Sequence, residues 1–224
     1  DDLAVDEIGP ASEAEMAAGV ATSLVPDETP KGMKLLLEEK FAKPLGADWK
    51  LTPSKLPGTS ITSKDGTLAI DAYANTSICA DLIHLPDSLS AVQVQVSVDG
   101  ATGETWGPGL ALVWPGGQQL RINLRAPDHF GVDSTAAAQK ITGKLSGGSA
   151  LLRVRIEDRQ IIAEAICTDD SAWQKLAEFP RDKFPGKPSL VRLGKSHAVE
   201  ALDDHTDIGA VGTTRFTALK LFGK

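Results

Sequence analysis

From Ala91 the chain reads Ala-Val-Gln-Val-Gln-Val-Ser-Val, reaching Val98 just before Asp99-Gly100. On an extended backbone Val92, Val94, Val96 and Val98 fall on one side, and Gln93, Gln95 and Ser97 on the other. A helix would scatter those four valines, because its side chains recur every 3.6 residues. The segment is therefore a strand with one dry and one wet face. Such a strand needs an apolar layer packed against its dry side.

The alternation returns twice. Leu120, Ile122 and Leu124 alternate with Arg121, Asn123 and Arg125, and Leu152, Val154 and Ile156 with Arg153, Arg155 and Glu157. Further strand candidates fall at 34–41, 59–63, 67–73, 76–84, 110–114, 139–145, 160–168, 173–178, 189–194 and 213–222. Turn signals separate them, among them Asp65-Gly66, Asp99-Gly100, Pro115-Gly116-Gly117, Gly147-Gly148 and Pro185-Gly186. Many short strands with few helical patterns imply an all-β fold, a two-sheet antiparallel β-sandwich over residues 33–224. Parity fixes one register. A turn at Asp158-Arg159 pairs Glu157 with Gln160. It sets Ile156 opposite Ile161, Val154 opposite Ala163 and Leu152 opposite Ala165, and on the wet face Arg153 opposite Glu164.

Residues 1–32 read differently. Residues 1–30 hold eight acids and neither Lys nor Arg, while the rest of the chain has 22 acids and 23 bases. Ser12 and Glu15 fit a capping box, and Pro26 and Pro30 break any regular structure beyond it. The expectation is a short acidic leader, partly helical or disordered, linking the sandwich to an upstream domain or anchor. The nearly neutral body and the acidic leader argue against nucleic acid as partner. No run approaches the length of apolar sequence a membrane helix needs, so membrane insertion is not expected. Two cysteines, Cys79 and Cys167, are too few for a disulfide scaffold, and spacing leaves open whether they pair.

The order of motifs resembles the concanavalin A-like (laminin G-like) jelly-roll superfamily. Leu36 to Phe41, then Trp49, then Asp65-Gly66-Thr67-Leu68 is similar to its opening pattern. Gly107-Pro-Gly-Leu-Ala-Leu-Val-Trp114 resembles its central Gly-x-Gly-Leu strand. Leu152-Arg-Val-Arg-Ile156 with Thr168-Asp-Asp-Ser-Ala-Trp173 after it resembles its later hairpin, with Ser171 where Gly is usual. Val191-Arg-Leu-Gly194 and Arg215 to Leu219 complete the likeness, which covers about residues 34–222. The superfamily holds lectins, carbohydrate-binding modules, glycosidases and adhesion domains, so the resemblance implies a fold rather than an activity. At the motif positions, Trp49 and Trp173 are expected in or beside the core.

Chemistry narrows the choice. Catalytic members with a Glu-x-Asp-x-x-Glu strand set two acids on one sheet face, and that motif is absent. Glu164 is the sole acid inside its strand and has Arg153 as its expected partner, so no catalytic residue is assigned. The candidate ligand-binding residues are Gln93, Gln95, Arg121, Asn123, Arg125, Arg153, Arg155 and Glu164. They form one polar surface if their strands share a sheet; otherwise they are solvated faces with cross-strand pairs. In such folds a sheet face binds sugars, and Arg clusters also clamp carboxylate or sulfate. Trp106, in a Gly- and Pro-rich loop, is a candidate stacking platform. No cofactor is expected. Calcium is the weaker alternative at Asp203-Asp204-His205-Thr206-Asp207 or at Asp169-Asp170, since six to eight oxygens are needed. Neither a zinc spacing nor a nucleophile elbow nor a phosphate-binding loop is present. The expected function is a non-catalytic module, secreted or periplasmic, with carbohydrate as partner. The alternatives are a glycoside hydrolase and a protein-interaction or structural domain.

Overall fold

The computed structural model describes residues 29–73, 76–99, 107–125, 128–167, 170, 172–196 and 211–224, with 137–141 described by backbone alone. The described strands are β1 (Lys34–Glu39), β2 (Trp49–Thr52), β3 (Ser60–Lys64), β4 (Thr67–Ala72), β5 (Ile78–Leu82), β6 (Leu89–Asp99), β7 (Gly109–Val113), β8 (Gln119–Arg125), β9 (His129–Ser134), β10 (Ala137–Thr142), β11 (Ser149–Ile156), β12 (Gln160–Cys167), β13 (Gln174–Pro180), β14 (Leu190–Lys195) and β15 (Gly212–Gly223). One turn of 3₁₀ helix spans Arg181–Lys183. The strands form two antiparallel sheets. The first runs β13-β12-β11-β6-β15-β4-β3, with β1 on β15; the second runs β10-β9-β8-β7-β14-β5-β2.

The valine strand lies near the middle of the first sheet. Val92, Val94 and Val96 are fully buried against Leu110, Leu112, Leu120 and Ile122 of the second. Leu152, Val154, Ala163 and Ala165 continue the same layer. The residue classes thus set the layers: apolar positions of period two from both sheets interlock, and everything between them faces out.

The β11–β12 hairpin adopts the register expected from parity. Ile156 pairs with Ile161, Val154 with Ala163, Leu152 with Ala165 and Arg153 with Glu164. Asp65 (φ 51°) and Gly66 (φ 84°) form the two-residue turn between β3 and β4, both left-handed as a primed hairpin turn requires.

Two strands escape the sequence reading. β2 is only four residues long, and β9 carries Gly131 and Asp133 among its apolar positions. Cys79 and Cys167 are separate buried thiols. Trp114 is buried with its ring 4.7 Å from that of Phe184, and Trp49 packs against the core beside Phe41.

Candidate functional site

The candidate residues do not share one sheet. Gln93 and Gln95 stand on β6, Arg153 and Arg155 on β11, and Glu164 on β12, all in the first sheet. Arg121, Asn123 and Arg125 stand on β8 in the second. Each set alternates with core residues, so the two sets face outward on opposite sides of the sandwich. The single polar surface considered from sequence is therefore two surfaces. Trp106 lies outside the described residues, as do Asp169, Asp203, Asp204 and Asp207.

On the second sheet, pairing lines up Asp133, Arg121, Ala111, Arg192, Asp81 and Lys50 in one row across β9, β8, β7, β14, β5 and β2. Arg121 donates to Asp133 through Nε (2.9 Å) and Nη2, and Nη1 donates to the Ser196 carbonyl. Arg192 grips Asp81 with two bonds of 2.7 and 2.8 Å. Asn123 is fully buried between glycines. With its amide oriented to suit both neighbours, it donates to the Gly131 carbonyl (2.9 Å) and accepts from the Gly107 amide (3.1 Å). Arg125 has a buried Nη1 with no partner among the described residues. Lys195 is buried at the same end, and its amine is pushed down to about 7 by burial and by the nearby Arg121 charge. Arg121, Asn123, Asp133 and Asp81 are buried, Arg125 and Arg192 are half-buried, and Lys50 is exposed, so most of the polar groups of this row are already engaged with one another.

The first sheet differs. Its row reads Lys175, Glu164, Arg153, Gln93, Lys220 and Glu38. Glu164 is the hub: Oε2 accepts from Arg153 Nε (2.7 Å) and Arg155 Nε (3.1 Å), and Oε1 from Arg155 Nη2 (2.8 Å). Burial alone would raise the Glu164 carboxyl, but the hydrogen bonds and charges of Arg155 and Arg153 outweigh it and hold it below the usual carboxylate range. Arg155 also donates to Glu157. The Arg153 guanidinium lies 3.6 Å from the ring centre of Trp173, a cation–π contact.

Beside this hub opens a cleft of about 820 Å³. Arg153, Arg155 and Trp173 form one side, the β11–β12 turn from Glu157 to Gln160 another, and Thr29 to Met33 with Lys224 the rim. The volume lies within the range of small-molecule sites. Gln93, opposite Arg153 on β6, is buried with Oε1 unpartnered among the described residues, and Gln95 lies one pleat further along; neither lines the cleft.

Trp173 is expected from its motif in or beside the core, yet it lies on the outer side, partly exposed. Parity explains this: Leu176 points inward and Lys175 outward, so Trp173 shares the side of Lys175. Lys31, Arg159 and Lys224 of the cleft carry no sequence signal of their own, because folding alone brings a rim segment and a turn together.

Asp170 caps β12. It accepts from the Cys167 amide (2.9 Å) and from Gln174 Nε2 (2.8 Å), and the amide bond foremost keeps its carboxyl below its ordinary value. No group of three His, Cys, Asp or Glu side chains converges as for a metal among the described residues. Nor is any described helix long and apolar enough to cross a membrane.

No family model and no curated protein matches the sequence. Solved structures do match in fold. The laminarinase catalytic domain of Thermotoga petrophila superposes with a TM-score of 0.61 at 9% identity, over 86% of this chain and 98% of that one. A laminarinase of Flavobacterium sp. UMI-01 gives 0.61 at 11%, over 84% and 100%. A GH43 protein of Bacillus licheniformis gives 0.57 at 14%, over 84% of this chain but 39% of its own. At such identities the likeness is one of fold: the sandwich is the concanavalin A-like jelly roll.

Proposed function

We propose that this chain, a sandwich of the concanavalin A-like superfamily, is a non-hydrolytic saccharide-binding module that seats its ligand in the cleft beside Trp173. One observation carries the reading: a half-open aromatic ring stands beside a hydrogen-bonding polar row in a cleft of about 820 Å³. Saccharides need that combination, a flat apolar surface for the ring face and fixed polar groups for hydroxyls. An extracytoplasmic setting, where polysaccharides are met, goes with it.

The likeness to glucanases favours a second reading, glycoside hydrolysis. That chemistry needs two carboxylates about 5–9.5 Å apart, one of them protonated to serve the leaving group. On the second sheet Asp133 and Asp81 are four strands apart, roughly 19 Å at the usual strand spacing. On the first, Glu157 and Glu164 both bond Arg155, and Glu164 has both oxygens occupied by arginines that favour its charged form. In both of these pairs each carboxylate is already bonded to an arginine.

The test is titration with a panel of soluble polysaccharides. Trp173→Ala should weaken the bound member about tenfold or more with an unchanged circular dichroism spectrum. Binding to no polymer would end the proposal, and reducing ends released from laminarin by the wild type would replace it with the hydrolase.

A further inference from the structure

We infer that the cleft takes an acidic saccharide, one bearing carboxylate or sulfate groups, and that Lys31 and Arg159 are its anion contacts. This rests on the saccharide-binding reading of the same cleft. The charge partners around the cleft point to it. Arg155 is consumed by Glu164 and Glu157, Arg153 leans on Glu164, and Lys224 pairs with Asp158 at 3.1 Å. Those pairs neutralise the acids around the cleft. Lys31 and Arg159, from the rim segment and from the turn, line the same cleft and have no ion pair among the described residues. They leave two positive charges on two different walls of one concavity.

A neutral sugar would gain little from them, since hydroxyls compete poorly with water for a solvated cation. A carboxylate or sulfate gains charge-assisted bonds, bidentate from the arginine. The fixed hub matters too. Because Glu164 locks Arg153 and Arg155 in place, the Trp173 ring and the cleft wall are set before ligand arrives. The arrangement fits a chain whose sugar ring lies by Trp173 while its acidic substituent reaches toward Arg159 or Lys31.

Isothermal titration of the full chain tests this with matched polymers. Polygalacturonate is set against its carboxyl-reduced, neutral counterpart, and dextran sulfate against dextran; the pair that binds identifies carboxylate or sulfate as the recognised group. The acidic member of one pair should bind at least about tenfold tighter than its neutral match. The preference should shrink as salt rises from about 0.05 to about 0.5 M. Arg159→Gln and Lys31→Gln should each remove most of it, while Trp173→Ala weakens acidic and neutral members alike. Lys50→Gln, on the opposite sheet, should leave it intact. Equal affinity for neutral and acidic polymers, lost with Trp173→Ala, would overturn the acidic specificity and keep the saccharide reading. An equal effect of Lys50→Gln would reduce the preference to general surface charge and overturn it too. Binding to none of the four would overturn both.

Discussion

At the scale of single residues, Glu164 holds more of the first sheet's outer face than any neighbour. Its carboxylate satisfies donors from two arginines on the same side of β11. Removing its charge takes from Arg153, nine-tenths buried, the carboxylate that its Nε donates to. Breaking such a buried pair costs about 3 kcal/mol. Glu164→Gln should therefore lower the urea midpoint well beyond what an exposed pair such as Lys175–Glu178 would cause on Lys175→Gln. A midpoint shift no larger than that of the exposed pair would show that the hub is ornamental. The pairing of Arg153 with Glu164 is legible in the sequence because a two-residue turn and period-two parity fix who faces whom. Trp173 and the cleft are not, since the candidate strand 173–178 has apolar residues at 173, 176 and 177 and so no alternation that tells which side of it faces the core. Arg121, Asn123 and Arg125 are picked by the right rule, alternation, but alternation names a side of a strand and not the sheet to which the strand belongs.

At the scale of elements, β7 and β8 meet at a place where only glycine fits. A Cβ on Gly109 would stand 1.9 Å from the Ile122 carbonyl oxygen and 2.7 Å from the Asn123 Cα. Both are backbone atoms of the paired strand, so no side chain can swing away. Gly109→Ala should push β7 off β8 and destabilise by about 2 kcal/mol or more, the range for a steric insertion into a packed site. Gly117→Ala tests the contrast. A Cβ there meets nothing within 4 Å, but φ is +82°, so only the smaller backbone penalty applies. Thermal melts of the two variants should separate accordingly. If Gly109→Ala melts no lower than Gly117→Ala, the strands have room to relax. The sequence shows β7 as a strand and its glycines as part of a familial pattern, but the close approach is a property of two strands together.

At the scale of the whole molecule, acids of the first sheet and its loop and a buried lysine of the second sheet respond oppositely to protons. Glu164 and Asp170 have folded values lowered from the ordinary carboxylate range. Their contribution is complete above their unfolded values near 4 and is lost as pH falls through the lower folded ones. Lys195 works on the other limb. Its folded value is about 7 against an ordinary 10.5. Between those values the unfolded chain holds a proton that the folded chain does not, so stability rises with pH across that window. Denaturation at a series of pH values should show the rise from about pH 7 to 10 in the wild type and flatten it in Lys195→Met. A variant with the wild-type slope would show that Lys195 does not set this limb.

The topology carries a consequence for how the protein is made. β15 is the last of the described strands in sequence, yet it sits inside the first sheet between β6 and β4, with β1 paired to it as well. A ribosome delivers the chain from its amino end. Until Gly223 has emerged, β6 and β4 each lack a neighbour and the valine layer has no closed roof. The sandwich must therefore stay incomplete, and exposed to mispairing at both open edges, until β15 has been delivered. A chain built this way remains threadable through a narrow pore until that strand is in place.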